Sequence, residues 1–149
     1  MGLPFFRPQE LATSCVAACV GMVLEAFGHT LTETEIRQRC GHTKSGMRLN
    51  QVADGLKDLP VIVGYHTDWS RDDLRDAIRQ TPLPIVGVDL RPIDGVFAFH
   101  AVVVLDLIDE RVRVLDPLQG ERTIGLAAFE AAWNNADHEV VVITHRLSQ

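Results

Sequence analysis

The sequence is poor in cysteine, has no long apolar run and has no cluster of basic residues. Its 149 residues include three cysteines, an odd and sparse set that predicts a reducing, cytoplasmic compartment rather than a disulfide framework. No apolar run approaches the roughly 18 residues of a membrane-spanning helix, and the proline-rich N-terminus does not resemble a signal peptide. The net charge of −6 and the scattered Lys and Arg residues argue against a nucleic-acid or anionic-membrane partner.

The composition that is present is typical of a globular domain. Apolar residues make up 46% of the chain and charged residues 23%, so a chain of this length can bury a core without a structural metal. Helical patterns fill the first part of the sequence and strand patterns fill the second, with no internal repeat or linker. We therefore predict one α+β domain over residues 1–149, with a helical lobe at about 1–60 and a sheet lobe at about 61–149.

Two local patterns place the residues that matter most for function. The stretch "LATSCVAACVGMVLEAF" predicts a buried helix from about Cys15 to Phe27, with Thr13 and Ser14 as caps. The stretch "IDER" separates the strand-like runs "FAFHAVVVLDL" and "RVRVLD", and so predicts a β-hairpin. Further helices are predicted near residues 32–40, 49–59 and 70–79 and in "LAAFEAAW", and further strands in "VIVGYHT", "PIVGVDL", "RTIGL" and "EVVVITH".

The three cysteines differ in what their surroundings predict. Cys15 and Cys19 lie four residues apart on the predicted helix, which is a poor geometry for a disulfide. Cys40 and His42 match no common zinc spacing, so no metal and no cofactor is expected. Cys19 and Cys40 are expected to be buried, inert thiols. Cys15 falls in the first helical turn, where free N–H groups and the helix dipole favour a thiolate, the form that acts as a nucleophile.

A nucleophilic cysteine also needs a base, a group that orients the base, and an oxyanion donor. His100 lies in an otherwise apolar strand and Asp116 ends the next strand, so the hairpin brings both near the same end of neighbouring strands. Gln9 precedes Cys15 by six residues, and its amide is a candidate oxyanion donor. Taken singly, the three have ordinary interpretations as a core histidine, a turn aspartate and an exposed loop glutamine.

With these residues in order, the sequence resembles the papain-like cysteine peptidases. It is most similar in pattern to the bacteriocin-processing, double-glycine leader peptidase domains of bacteriocin-exporting ABC transporters. The shared features are Gln9-x5-Cys15, the second cysteine Cys19, "HAVVV", "VRVLDP" and the weaker frame "FGHTLTETEIRQRC", "GMRLNQVADGL" and "FEAAW", over about residues 6–145. The resemblance implies a papain-like fold in which the nucleophile helix packs on a C-terminal antiparallel sheet.

The resemblance also implies a function and a set of roles. The chain is expected to be a thiol peptidase that cleaves a peptide or protein, such as a leader peptide, without a cofactor. Carried over by position, Cys15 is the nucleophile, His100 the general base and acid, Asp116 the orienting group and Gln9 the oxyanion donor. Losing such a donor typically costs on the order of 10²–10³ in rate.

The sequence departs from the family pattern in two respects. Ser14 and Val16 stand beside the nucleophile where the family has Asp and Gly, and Val16 is expected to narrow the site. The preference for cutting after a double glycine is therefore not carried over. The sequence also shows neither a membrane segment nor a phosphate-binding Gly-rich Lys motif, so we expect a free-standing domain whose substrate a separate partner protein can present.

Two other functions stay open at this point. A catalytically silent module of the same fold would grip a peptide without cutting it, although such modules usually lose the nucleophile or the base. An acyl or peptidyl transferase would use the same acyl-enzyme and pass the acyl group to an amine or thiol instead of water. Analysis of the products with and without an added amine separates transfer from hydrolysis.

Overall fold

The computed structural model describes residues 5–80 and 83–146, so the ends of the predicted 1–149 domain and the break at 81–82 lie outside it. The helices are α1 (Cys15–Ala26), α2 (Glu33–Cys40), α3 (Val52–Gly55), α4 (Arg71–Gln80), α5 (Arg91–Asp94) and α6 (Leu126–Asn135). The strands are β1 (Val61–His66), β2 (Ile85–Asp89), β3 (Phe99–Ile108), β4 (Arg111–Asp116), β5 (Gly120–Gly125) and β6 (Val140–His145). The predicted α+β class, with N-terminal helices before an antiparallel sheet, is confirmed.

The six strands form one sheet in the order β1-β6-β2-β3-β4-β5, and every neighbouring pair is antiparallel. The β3–β4 hairpin turns at Asp109 and Glu110, as "IDER" predicts, and Asp109 adopts a positive φ of 55°. Such left-handed geometry suits the tight two-residue connection and is tolerated by Asp. The hairpin therefore brings the start of β3 and the end of β4 to the same edge region of the sheet.

Apolar side chains cover both faces of this sheet. Along β3 the alternating residues divide between two clusters, with Ala101 and Val103 in one and Val102 and Val104 in the other. This division follows the period-two geometry of a strand. The first cluster includes most of α1, and the second includes Phe129 and Trp133 of α6 together with Leu74 of α4.

Helix α1 runs through the middle of the first cluster. All nine residues from Val16 to Leu24 are buried, as its small and apolar composition predicts. Helix α2 begins at a capping box, in which the Thr32 hydroxyl accepts a hydrogen bond from the Glu35 amide and the Glu35 carboxylate accepts one from the Thr32 amide. It ends at Gly41, whose φ of 74° is the left-handed geometry typical of a helix C-terminus.

One helical prediction needs correction, and one short helix was not predicted. The helix predicted over 49–59 is a 3₁₀ turn at Leu49–Gln51 followed by the short α3, which ends at Gly55. A Cβ on Gly55 would lie 2.5 Å from the Cys40 Sγ atom, so close packing on the end of α2, rather than helical periodicity, determines the chain path there. Helix α5 was not predicted, because four residues are too few to show a period.

The segment before α1 crosses to the end of β4. The backbone N–H of Gln9 donates to the Pro117 carbonyl at 2.9 Å, and the backbone N–H of Glu10 donates to the Glu33 carboxylate at 3.0 Å. These bonds hold the start of α1 beside the strand end that carries Asp116. No helix within residues 5–80 and 83–146 is long and apolar enough to cross a membrane.

Candidate active site

Cys15 is the first residue of α1 and is partly exposed, and all three cysteines are free. Ser14 occupies the N-cap position, but its hydroxyl makes no capping bond to the helix. It accepts from the Leu11 amide at 2.9 Å and donates to the Leu11 carbonyl at 3.1 Å instead. The first-turn N–H groups, which have no partner inside a helix, are therefore not taken by this side chain and suit a negatively charged ligand.

His100, the second residue of β3, lies at the junction between α1 and the hairpin. Its side chain is buried, and Nε2 is 2.7 Å from Asp116 Oδ1. Register explains this proximity: Leu115 pairs with Val103, so the next position along β4 faces the part of β3 that carries His100. Since Nε2 is engaged by Asp116, the other ring nitrogen, Nδ1, is left for the thiol.

The charge state of His100 follows from its two partners. Burial alone would lower its pKa, but hydrogen bonds to the Asp116 and Cys15 side chains, together with their charges, outweigh burial and raise the pKa to about 9. The imidazole is therefore protonated at neutral pH. A protonated imidazole beside a cysteine stabilises the thiolate.

Asp116 is buried and bound from three directions. Its Oδ1 atom accepts from His100 and from the Leu118 amide at 2.8 Å, and its Oδ2 atom accepts from Arg122 Nη1 at 3.3 Å. Burial works to raise the pKa of this carboxyl, but the bonds to His100, Leu118 and Arg122 outweigh it and lower the pKa. Asp116 is therefore an ionised, fixed acceptor for the imidazole.

Arg122 was missed in the sequence, and so was its second partner, Asp94. Arg122 Nη2 and Nη1 lie 2.6 and 3.0 Å from the two oxygens of Asp94. A signal for Arg122 does exist in the sequence: Asp116 pairs with Gly120 across the β4–β5 connection, and the residue two positions later points to the same face of the sheet. Asp94 lies in the unpredicted helix α5 and had no such signal.

Gln9 lies close to the site but does not line the cavity around Cys15. Its Nε2 atom donates to the Leu11 carbonyl at 2.7 Å and to the Ala12 carbonyl at 3.2 Å, while Oε1 is buried and has no hydrogen-bond partner among residues 5–80 and 83–146. Both amide hydrogens are thus committed to the backbone in this conformation. The role of Gln9 as an oxyanion donor stays a prediction.

A cavity of about 380 Å³ opens beside the thiol and the imidazole. It is lined by Cys15, Val16 and His100, by Gly87 of β2, which forms its floor, and by Glu139, which immediately precedes β6. The loop between α2 and the 3₁₀ turn borders the cavity through Ser45, Gly46 and Met47. A volume of this size accommodates a few residues of an extended peptide rather than a folded domain.

The other two cysteines behave as the sequence predicts for buried thiols. Cys19 is fully buried, with its Sγ atom 3.4 Å from the Ala101 carbonyl, and burial raises its pKa well above the ordinary range. Burial also raises the pKa of Cys40, to about 11. Within residues 5–80 and 83–146, no group of three or more His, Cys, Asp or Glu side chains is arranged to hold a metal ion.

Comparison with known proteins identifies the family. The model of the peptidase C39 family matches residues 6–145. Among curated proteins, none matches this sequence.

Three solved structures share the fold at low sequence identity. A double-glycine-motif protease from an AMS/PCAT transporter, in complex with the leader peptide, superposes with a TM-score of 0.78 at 17% identity, covering 95% of this chain and 91% of that one. The peptidase domain of Streptococcus ComA, a bifunctional ABC transporter involved in quorum sensing, gives 0.78 at 18%, covering 97% and 99%. A C39-like peptidase from Bacillus anthracis gives 0.77 at 16%, covering 99% and 96%.

These likenesses confirm the predicted papain-like fold and the resemblance to double-glycine leader peptidase domains. The family match spans nearly the whole chain, from before the Gln9 position to the end of β6. The protein therefore belongs to the peptidase C39 family.

Proposed function

We propose that the protein is a cysteine peptidase that cleaves a peptide or protein through an acyl-enzyme on Cys15. The observation that carries this proposal is the buried His100–Asp116 pair, 2.7 Å apart, beside a partly exposed cysteine at a helix N-terminus and a cavity. A thiol, an imidazole and a carboxylate in this sequence of contacts are the parts that nucleophilic acyl transfer requires.

The proposed reaction has two steps. The Cys15 thiolate attacks the peptide carbonyl and a C–S bond forms; the C–N bond then breaks as the His100 imidazolium gives its proton to the leaving amine. In the second step His100 takes a proton from water, the hydroxide attacks the thioester, and the C–S bond breaks to restore the thiolate. Asp116 holds the imidazole in orientation throughout both steps.

The oxyanion of each step needs donors close to the thiol. The Cys15 backbone N–H, in the first turn of α1, is one proposed donor. The Gln9 amide is the second, and it serves only if substrate binding turns it away from the Leu11 and Ala12 carbonyls. Its present bonds are the one observation that favours the alternative of a silent peptide-binding module.

The proposed substrate is an unfolded peptide segment, with a leader peptide as the first class to test. The cavity size supports a short extended peptide, and a protease of similar fold is known in complex with the leader peptide. A separate protein that presents the peptide is a proposed partner.

The test is capture of the acyl-enzyme. We would mix the protein with synthetic peptides carrying a central Gly-Gly and with the p-nitrophenyl ester of an N-acylglycine, quench early, and map the mass of each cysteine peptide. We expect an acyl adduct on Cys15 and product release in the wild type and in Cys40→Ala, and neither in Cys15→Ala. Cleavage at the wild-type rate in Cys15→Ala would overturn the proposal. Peptide binding without an adduct or cleavage would support the silent module, and an added amine in the product would indicate transfer.

A further inference from the structure

The two carboxylate oxygens of Asp116 accept hydrogen bonds from two different basic side chains, which lie on different strands. Oδ1 accepts from His100 of β3, and Oδ2 accepts from Arg122 of β5 at 3.3 Å. The side chain of Arg122 is about 21% exposed and that of Asp116 about 3%, so this ion pair is largely shielded from solvent. Shielded charges interact more strongly than surface ones.

Arg122 is itself held by a second carboxylate. Its guanidinium pairs with both oxygens of Asp94 at 2.6 and 3.0 Å, and Asp94 is about 22% exposed. A bidentate arginine–carboxylate pair of this kind fixes the orientation of the guanidinium group as well as pairing its charge. Asp94 ends α5, and the chain then passes through Gly95, with a φ of 71°, toward His100.

Other charged or titratable groups also face this site. Arg48, Asp137 and Glu139 line the same cavity as Cys15 and His100. Helix α1 presents Cys15, whose side chain raises the pKa of His100, and Cys19, whose own pKa is raised by burial and further by the charge of Asp116. The next acidic residue along β5, Glu121, pairs instead with Arg113 at 3.5 Å. The hydrogen-bonded groups therefore alternate in charge in the order Asp94, Arg122, Asp116 and His100, and the Cys15 thiol lies next to the imidazole.

We propose that Arg122 and Asp94 are positioning residues, which orient Asp116 and set the pH range over which the Cys15–His100 pair is active. The proposal rests on the proposed function. Arg122 fixes Oδ2 so that Oδ1 stays aligned with the imidazole, and Asp94 prevents Arg122 from neutralising Asp116 completely.

The alternating charges give the two residues opposite electrostatic effects. Removing the positive charge of Arg122 makes protonation easier at every neighbouring group, so both limbs of a pH–rate profile move to higher pH. Removing the negative charge of Asp94 has the reverse effect, and both limbs move to lower pH. Loss of fold alone would not produce displacements of opposite sign.

The experiment measures the rate of Cys15 alkylation by iodoacetamide from pH 5 to 10, by peptide mass spectrometry, so it needs no natural substrate. We expect Arg122→Met to move the profile up, and Asp94→Asn to move it down, by about half a pH unit or more each. Arg122→Lys, which keeps the charge, should leave the profile near that of the wild type. With the peptide probe, Arg122→Met should lower kcat about 10-fold or more with little change in KM, and Arg122→Lys should recover part of that loss.

Arg113→Met is the matched control, because Arg113 lies on the neighbouring strand and pairs with Glu121 and Asp106 rather than with Asp116. Its profile should overlay that of the wild type. Should Arg122→Met fail to fold, Asp94→Asn still tests the sign of the effect. Superimposable profiles for Asp94→Asn and wild type, with Cys15 still reactive, would overturn this proposal and leave the proposed function standing. An unreactive Cys15 in the wild type would overturn the proposed function itself.

Discussion

His100 carries a charge in a place where burial opposes that charge. Its side chain is buried, yet the contacts with Asp116 and Cys15 raise its pKa to about 9. A cation in such a position exists because anionic or hydrogen-bonding partners surround it. At the scale of single residues, the charged form of His100 therefore depends on the side chains of Asp116 and Cys15 beside it.

This dependence predicts how Cys15 reacts with iodoacetamide. The pKa of His100 is raised to about 9, and a protonated imidazole beside a cysteine favours the thiolate, which is the form that iodoacetamide alkylates. We expect Cys15 to be labelled at pH 6.5 at least about 10-fold faster than Cys40, whose pKa is raised to about 11 by burial. In His100→Ala that advantage should disappear.

Cys40 and Cys19 serve as internal controls in each digest, because all three cysteines are free. Labelling of Cys15 at pH 6.5 that is equally fast with and without His100 would contradict the ion-pair interpretation. A thiol that becomes reactive only above pH 8 in both proteins would contradict it as well.

How far the site was predictable depends on the residue. The β3–β4 hairpin that carries His100 and Asp116 has a turn that is visible in the sequence. The shift in register between Val104 and Asp106, which places Asp116 on the same face of the sheet as His100, is not visible there. Arg122 was accessible by the same strand register, but only once Asp116 was placed opposite Gly120. The bonds of Gln9 were not accessible, since its amide pairs with two backbone carbonyls of a loop whose path no periodicity reveals.

At the scale of elements, the helices are stabilised by local rules that can be tested without reference to activity. The capping box of α2 joins the Thr32 and Glu35 side chains to each other's backbone amides at 3.1 Å. We expect Thr32→Ala to lower the free energy of unfolding by about 1 kcal/mol, measured by urea denaturation. The exposed Thr30 precedes the cap by two residues, so Thr30→Ala should change stability by less than about 0.5 kcal/mol. Equal losses in both variants would contradict the role of the cap.

Strand β2 shapes the cavity through a residue with no side chain. A Cβ on Gly87 would lie 3.3 Å from Leu49 Cδ1 and 3.5 Å from Glu139 Oε1, both of which line the cavity. We expect Gly87→Val to raise KM for the peptide probe about 10-fold or more, because its methyl groups fill the floor. Alkylation of Cys15 by the much smaller iodoacetamide should not change. Gly125→Ala is the control, since a Cβ there meets nothing within 4 Å; an unchanged KM in Gly87→Val would show that substrate does not use this floor.

Elements with a clear period were predicted, and elements set by tertiary packing were not. Helix α1 and the β3–β4 hairpin have long, regular patterns, and both were predicted. The helix over 49–59 was predicted too long, because Gly55 packs on Cys40 and ends it. The sheet order, in which β6 lies between β1 and β2, depends on contacts between distant segments that no local pattern encodes.

At the scale of the whole molecule, one sheet separates two apolar clusters, and the active-site candidates lie where the nucleophile helix meets the hairpin. That residues 1–149 form a single domain stays a prediction. The burial that builds the first cluster also removes Cys19 and Cys40 from water. Their protonation is thereby coupled to the folding of the entire chain.

This coupling predicts a loss of stability at alkaline pH. The pKa of Cys40 is raised to about 11 in the folded protein, whereas an unfolded cysteine titrates near pH 8.5. Between these values the unfolded chain releases a proton that the folded chain keeps, so the stabilisation is complete below about pH 8.5 and is lost as pH rises through 11. Each such thiol contributes a slope of at most about 1.4 kcal/mol per pH unit.

Two other groups also make the protein less stable as pH rises, but mainly in other pH ranges. The contribution of His100 is lost mainly as pH rises to about 9, the value to which its pKa is raised. The pKa of Tyr65 is raised to about 12 by burial and by its hydrogen bond to Glu139, so its contribution is lost above about pH 10. Comparing the urea unfolding of wild type and Cys40→Ala between pH 9 and 10 isolates Cys40, because His100 and Tyr65 contribute equally to both proteins. We expect Cys40→Ala to be less stable at every pH, because it leaves a cavity. It should also lose stability less steeply as pH rises, with Cys19 and the remaining titration of His100 supplying its slope. Parallel slopes in the two proteins would show that Cys40 ionises equally in the folded and unfolded states, and that its burial does not contribute to the pH dependence of folding.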